Sequence, residues 1–210
     1  DVDGTTAKKA SFIRLPELDP VTGITRMFAY PYDLDVYKKN SDAKIGDLVA
    51  LDDQRLLIIE QEKDADKNMR NLVYMIDLKQ ATDLSDKQFD NKALEFAPDR
   101  AALEKQGIRL VAKQLVLDLR AHGWHAEKAE GLTLVDKQTI AVTSDNDFGL
   151  TVKVKDKEGD AKSPDDYAID QMGQVYLEDK PVKTHFAIKA AEGDDAKSQL
   201  WLFKLDKPLK

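Results

Sequence analysis

The chain has no cysteine, which excludes thiol catalysis, cysteine-ligated zinc and a disulfide scaffold. That composition is compatible with a Gram-negative periplasm. No run reaches the ~20 apolar residues of a membrane-spanning helix, and no charged-then-apolar pattern opens the sequence. Basic residues are outnumbered, 32 Lys and Arg against 39 Asp and Glu, for a net charge of −7. Neutralising nucleic-acid phosphates needs clustered Lys and Arg, so no nucleic-acid partner is expected. Gly-x-Ser-x-Gly is absent, as are the phosphate-binding P-loop and the dinucleotide fingerprint, which leaves a serine hydrolase and a nucleotide enzyme unsupported.

What the sequence does contain is a globular mixture: 42% hydrophobic and 34% charged residues of both signs, enough apolar material for a core. Apolar residues alternate instead of recurring at helical spacing. Phe12 to Leu15 and Ile24 to Tyr32, joined by the turn-forming Asp19-Pro20-Val21-Thr22-Gly23, read as a hairpin. Asp47 to Leu51 and Arg55 to Glu60 flank the turn Asp52-Asp53-Gln54, and Leu72 to Leu78 follows as a third strand. Asp99 to Gly107, with an acidic start, good helix formers and a closing glycine, predicts a short helix. Arg109 to Leu119 is a long strand candidate, Glu130 to Val135 with Thr139 to Ser144 another hairpin, and Leu200 to Leu205 a final strand. Residues 35–44 read as a lysine-rich surface loop. The polar stretch at about 155–198, with clusters such as Lys157-Glu158-Gly159-Asp160, reads as an insertion holding weak strands near Gln174 to Leu177 and His185 to Ile188.

An internal repeat organises these strands. Laying Lys44 onto Lys128, 84 residues on, brings Leu48 onto Leu132, Asp52 onto Asp136, Gln54 onto Gln138, Leu56 onto Ile140 and Ile58 onto Val142. Each hairpin is followed, after an acidic loop, by one more strand. With Arg109 to Leu119 as a fourth strand, the first copy makes a four-stranded antiparallel unit of the kind that builds a β-propeller. The expected fold is therefore all-β: an incomplete set of two to three propeller blades, residues 1–210 forming the C-terminal portion of a single domain. A propeller needs ~4–8 blades, and an open array leaves long unpaired strand edges. The chain opens on Asp1-Val2-Asp3-Gly4 without Met. We therefore expect an upstream half of the same propeller, or other copies of the chain, to complete the ring.

Several segments carry a family likeness in order: Gly46-Asp47-Leu48-Val49-Ala50-Leu51 with Leu57-Ile58-Ile59-Glu60; Ala81-Thr82-Asp83; Lys113 to Leu119; and Glu130-Gly131-Leu132 with Asp145-Asn146-Asp147-Phe148-Gly149. The chain resembles the "esterase-like activity of phytase" family of bacterial phytase-like propellers, from about residue 8 onward. Asp-Asn-Asp-Phe-Gly is the most specific piece. Gln61 departs from it, since an Arg usually follows the glutamate there. The resemblance implies a periplasmic or secreted hydrolase acting on a small phosphorylated substrate, with no membrane span.

The candidate site consists of carboxylates at hairpin ends. If first strands line a propeller channel, Asp47, Glu60, Glu130, Asp145 and Asp147 converge on one rim. They would then hold a divalent cation, Ca²⁺ first and Mg²⁺ second, because hard oxygen ligands suit both. Glu130, Asp145 and Asp147 are the candidate catalytic groups, and Asn146 would orient the substrate. The matched strand ends pair Asp47 with Glu130 and Glu60 with Asp145. Against this stands a structural alternative: Asx residues after strands commonly close turns on their own backbone. It weighs about evenly for Glu130, Asp145 and Asp147 and slightly more for Asp47 and Glu60. A non-catalytic binding propeller is the competing function.

Lys113 shares strand parity with Arg109 and is a candidate anion ligand, although a solvated outer strand face is the simpler expectation. Asp64-Ala65-Asp66-Lys67-Asn68 begins like a calcium loop but has Met69 where the loop needs glycine and Met75 where it needs glutamate. Asp1-Val2-Asp3-Gly4 offers a remnant of such a loop. His122, His125 and His185 have no zinc spacing. Trp201 and Phe203 alternate as core-facing aromatics.

Overall fold

A computed structural model describes residues 9–33, 36–37, 43–155 and 163–209. Asp1-Val2-Asp3-Gly4, the Lys157 to Asp160 cluster and most of the lysine-rich loop lie outside them. The described residues are built of β-strands in mostly antiparallel sheets, with little helix. None of their helices is long and apolar enough to cross a membrane.

The chain divides into two compact units, Asp1–Ser144 with Leu200–Lys210, and Asp145–Gln199. In the first, β1 (Phe12–Leu18) pairs with β2 (Thr25–Pro31). Asp19 closes their turn by accepting from the Val21 and Thr22 N–H groups, and Gly23 supplies the positive φ of 72°. Next comes a four-stranded meander of β3 (Lys44–Ala50), β4 (Arg55–Lys63), β5 (Met69–Asp77) and β6 (Ala112–Asp118). A third sheet has the order β14 (Leu200–Lys204), β8 (Thr139–Asp145), β7 (Lys128–Leu134). These two-, four- and three-stranded groupings are those the repeat predicts.

The strand registers extend the repeat residue by residue. β4 pairs Leu56 with Ile76, Leu57 with Met75 and Ile58 with Tyr74. β8 pairs their counterparts Ile140 with Phe203, Ala141 with Leu202 and Val142 with Trp201. β14 is thus the counterpart of β5.

β4 is buried on both faces, which is why Leu57-Ile58-Ile59 runs apolar without alternation. One face joins Ile58, Leu72, Tyr74 and Ile76 to Phe28 and Tyr30 of β2. The other joins Leu57, Ile59 and Val73 to Trp124, Ala129, Ile140, Val142 and Phe203. Trp201 stacks on Phe203 with ring centres 5.8 Å apart and meets Trp124 edge-on at 6.1 Å. A third cluster packs Phe12 and Ala29 against Leu84, Leu94, Leu103 and Ile108. Leu103 comes from helix α1 (Arg100–Lys105), which Asp99 caps by accepting from the Ala102 N–H at 2.8 Å.

Arg109 lies outside β6, its N–H donating to Thr82 Oγ1. The shared strand parity expected for Arg109 and Lys113 therefore does not hold: the chain is still in an irregular segment at Arg109.

The second unit holds β9 (Leu150–Val154) paired with β13 (Phe186–Ala190), and a small meander of β10 (Tyr167–Ile169), β11 (Val175–Leu177) and β12 (Lys180–Val182). The polar stretch at about 155–198 falls within it, and the unit begins ten residues earlier, at Asp145.

Candidate functional site

Glu60 and Lys113 meet in the interior. Glu60 is 0% exposed, and at that depth a carboxylate must be matched by donors. Its Oε2 accepts from Tyr30 Oη and from Lys113 Nζ, each at 2.6 Å, while Oε1 accepts from Tyr37 Oη at 3.1 Å and the Asp33 N–H at 3.2 Å. Lys113 Nζ also donates to Asp33 Oδ1 at 2.8 Å and the Pro31 carbonyl at 3.1 Å, and lies 4.0 Å from the Tyr74 ring centre. Tyr74 Oη donates to Asp33 Oδ2, and Arg70 approaches the same oxygen at 3.5 Å. Burial pushes the Asp33 carboxyl up, but hydrogen bonds from Lys113 and Tyr74 and the charges of Lys113 and Arg70 hold it below its ordinary value. Burial and the Glu60 charge push the Tyr30 and Tyr37 hydroxyls up, and Tyr32 to about 12.

This cluster corrects the expected place of Lys113. Its side chain is inward and ion-paired, not on a solvated outer face, because Glu60 and Asp33 supply counter-charges across β5 and β2. Glu60 is likewise committed: four donors occupy its two oxygens.

Asp47 and Glu130 lie on β3 and β7, which run side by side. A Cβ on Gly46 would stand 2.1 Å from the Ala129 carbonyl oxygen, so glycine is what allows the strands to approach. Asp47 Oδ2 accepts from the Leu132 N–H at 2.7 Å and Oδ1 from the Leu48 N–H at 2.8 Å. Glu130 is exposed and accepts from Gln61 Nε2 at 3.0 Å. Gln61 Oε1 accepts from the Ala129 N–H and from Asn71 Nδ2, both at 2.8 Å, and Arg120 Nε donates to Asn71 Oδ1. This buried amide relay joins the second sheet to the third.

The 84-residue offset sets Asp47 against Gly131 instead of Glu130, and the register also corrects the pairing of Glu60 with Asp145. Continued along β8, it brings Ser144 onto Glu60 and Asp145 onto Gln61, and a one-residue difference puts a strand side chain on the other face.

In the second unit, Asp145 and Asp147 are exposed, and Asp145 Oδ1 accepts from the Asp147 N–H at 2.9 Å. Asn146 precedes a 3-10 turn, Asp147–Gly149, its carbonyl accepting from the Gly149 N–H at 2.7 Å. Asp147, Phe148 and Gly149 all have positive φ, 49°, 60° and 69°. Only glycine enters this region without strain, so two L-residues here cost about 1 kcal/mol or more each. Phe148 nonetheless stands 96% exposed.

Among the described residues no three His, Asp or Glu side chains gather in a metal-binding group. His122 Nδ1 rests on the Asp118 carbonyl in an exposed turn, and Asp64 closes its own loop by accepting from the Asp66 and Asn68 N–H groups. The residues that sequence reasoning missed are Tyr30, Asp33, Tyr37, Arg70 and Tyr74. Tyr30 and Tyr32, alternating on an apolar strand, were their one legible sign.

The family's sequence profile, phytase-like and described as "Esterase-like activity of phytase", matches residues 1–148. The chain belongs to that family. The match ends inside the Asp145-Asn146-Asp147-Phe148 turn, short of the C-terminal reach that the resemblance suggested. Comparison with curated proteins and with solved structures gave no match.

Proposed function

We propose that this chain is the C-terminal portion of a phytase-like β-propeller, a periplasmic or secreted hydrolase of small phosphoesters. Family membership supports a hydrolase-like function. The observation that carries the choice of site is the Asp145 to Gly149 turn. Two L-residues at positive φ and an exposed aromatic stand together there, and such strain clusters at working sites. Asp145 and Asp147 are then the general-base and water-orienting carboxylates, Asn146 orients the substrate, and Glu130 is an exposed carboxylate of the first unit. A propeller is supported by the two, four, three strand grouping and by β3 lying against β7, because the first strands of adjacent blades meet at a central channel. The rest of the ring would come from an upstream half or from other copies of the chain.

The proposal includes a divalent cation, Ca²⁺ ahead of Mg²⁺, since carboxylates on a turn suit hard cations. Two carboxylates fall short of the roughly 6–8 oxygens that Ca²⁺ takes, so other donors would supply the remainder.

The test is phosphate release from p-nitrophenyl phosphate and phytate, alongside melting temperature with Ca²⁺, Mg²⁺ or chelator. Activity should fall by ~10²-fold or more in an Asp145→Asn, Asp147→Asn double variant, and the Ca²⁺-dependent rise in melting temperature should vanish. Unchanged turnover in the variant would overturn the catalytic assignment. A second reading, a non-catalytic binding propeller, draws on the full use of Glu60 and Asp47 by internal donors. No turnover and no cation effect in the parent protein would favour it.

A further inference from the structure

Between β5 and α1 the chain makes a tight turn that the proposed site does not use. Phe89 and Lys92 exchange both main-chain hydrogen bonds at 2.9 Å. The two residues between them, Asp90 and Asn91, have positive φ of 49° and 61°, which Asp and Asn tolerate better than other side chains. The turn is braced from outside. Gln106 Nε2, just past α1, donates to Asp90 Oδ1 at 3.0 Å, and Leu94 is 0% exposed in the third core cluster. A 3-10 turn, Leu94–Phe96, then brings Phe96 beside Lys92, whose ammonium stands 5.7 Å from the ring centre.

These elements frame a cleft of about 500 Å³ lined by Gln88, Asn91, Lys92, Ala93 and Phe96. Small-molecule sites span roughly 300–1,000 Å³ and combine an apolar wall with a few polar groups. Here the wall is Phe96, which is 41% exposed. Facing solvent around it are two amides, which both donate and accept, and one ammonium, which only donates. The nearby acids are engaged elsewhere: Glu95 accepts from Arg14 Nε and Nη2 at 2.6 and 3.0 Å, and Asp90 is turned onto Gln106. Lys92 therefore offers a cation here in a chain whose net charge is −7.

We propose that this cleft binds a sugar ring carrying an anionic substituent. The C–H face of the ring lies on Phe96, because polarised C–H groups are drawn to the negative face of an aromatic ring. Gln88 and Asn91 pair with hydroxyls, which also donate and accept. Lys92 swings from the Phe96 ring to the anion, exchanging a cation–π contact for a charge-assisted hydrogen bond. A hexuronate and a hexose phosphate share this chemistry. No residue of the Asp145 to Gly149 turn takes part, so the proposal stands whether or not the protein hydrolyses anything.

The test is saturation-transfer NMR on the 210-residue chain with glucuronate, glucose 6-phosphate and neutral glucose. It is repeated on the Asp145→Asn, Asp147→Asn variant, so that binding at the proposed hydrolytic site is told apart. Saturable transfer from at least one anionic sugar is expected, equal in parent and double aspartate variant, and which of the two binds identifies the anion. Phe96→Ala should weaken binding by about tenfold or more, and Lys92→Gln should erase the preference over glucose. Both side chains are exposed, so circular dichroism and melting temperature should stay those of the parent. If Phe96→Ala unfolds, Asn91→Gly replaces it, since glycine keeps the turn and removes the amide. No transfer from either anionic sugar, binding as strong for glucose, or binding unchanged in Phe96→Ala or its replacement overturns the proposal. So does binding that is lost in the aspartate variant, because the sugar then sits at the other site.

Discussion

Two copies of one hairpin sit in this protein in unequal circumstances. In the β3–β6 sheet, β4 is covered on both faces and buries a charge in its second half, Glu60. In the β7-β8-β14 sheet, the counterpart of Glu60 is Ser144 and the next residue is the exposed Asp145. The same strand pattern therefore ends in a locked interior cluster in one copy and in an exposed turn in the other. Position in the stack of sheets accounts for the difference. The middle sheet has β2 on one side to supply Tyr30 and Asp33, and the third sheet on the other to receive Gln61.

The sharpest way to break the comparison is at its charged end. Glu60→Ala should destabilise by about 3–5 kcal/mol, because the buried Lys113 ammonium loses a partner, whereas Ser144→Ala should stay within about 0.5 kcal/mol. Urea unfolding of both variants checks this, and similar midpoints would show that the Glu60 cluster is not rigidly formed. Asp33 adds a pH signature to the same copy. Its folded pKa is depressed, so its contribution is present above the ordinary carboxylate range of about 4 and is lost as pH falls through the lower folded value. Asp33→Asn should flatten the melting-temperature profile in that acid window.

Two leucines, one in each sheet, make a second contrast. Leu57→Ala should cost about 2–5 kcal/mol through the cavity it leaves, while Leu202→Ala, at an exposed site, should cost about 0.5 kcal/mol or less. A large loss at Leu202 in thermal unfolding would mean that its face is covered in solution.

The smallest expected effect compares two glycines. A Cβ on Gly46 meets backbone, the Ala129 carbonyl, whereas one on Gly131 meets the Thr143 hydroxyl at 2.2 Å. Gly46→Ala should cost about 1–3 kcal/mol with no simple rescue, and Gly131→Ala about 1 kcal/mol, recovered by adding Thr143→Ala. Failure of that rescue in a double-mutant cycle would place the constraint in the backbone instead.

Much of this was legible along the chain. Hairpin positions, the α1 helix with its Asp99 cap, and the grouping of strands into sheets followed from alternation, turn residues and the 84-residue repeat. The Asp145 to Asp147 turn was legible as a candidate, but its strained backbone was not. The interior of the candidate site was illegible for a different reason. Lys113 on an amphipathic strand looks solvated until the structure brings Glu60, 53 residues away, and Asp33, 80 away, to its ammonium. A repeat offset fixes which residues correspond; it does not say which face each side chain takes.

The sequence by itself determined strand, turn and repeat, because alternation and turn chemistry act over a few residues and need no partner. Tertiary structure alone decided which charges and which apolar side chains are buried. Burial depends on what a strand is packed between, and equivalent strands in a stack have different neighbours. Glu60 and Leu202 owe their opposite environments to that difference.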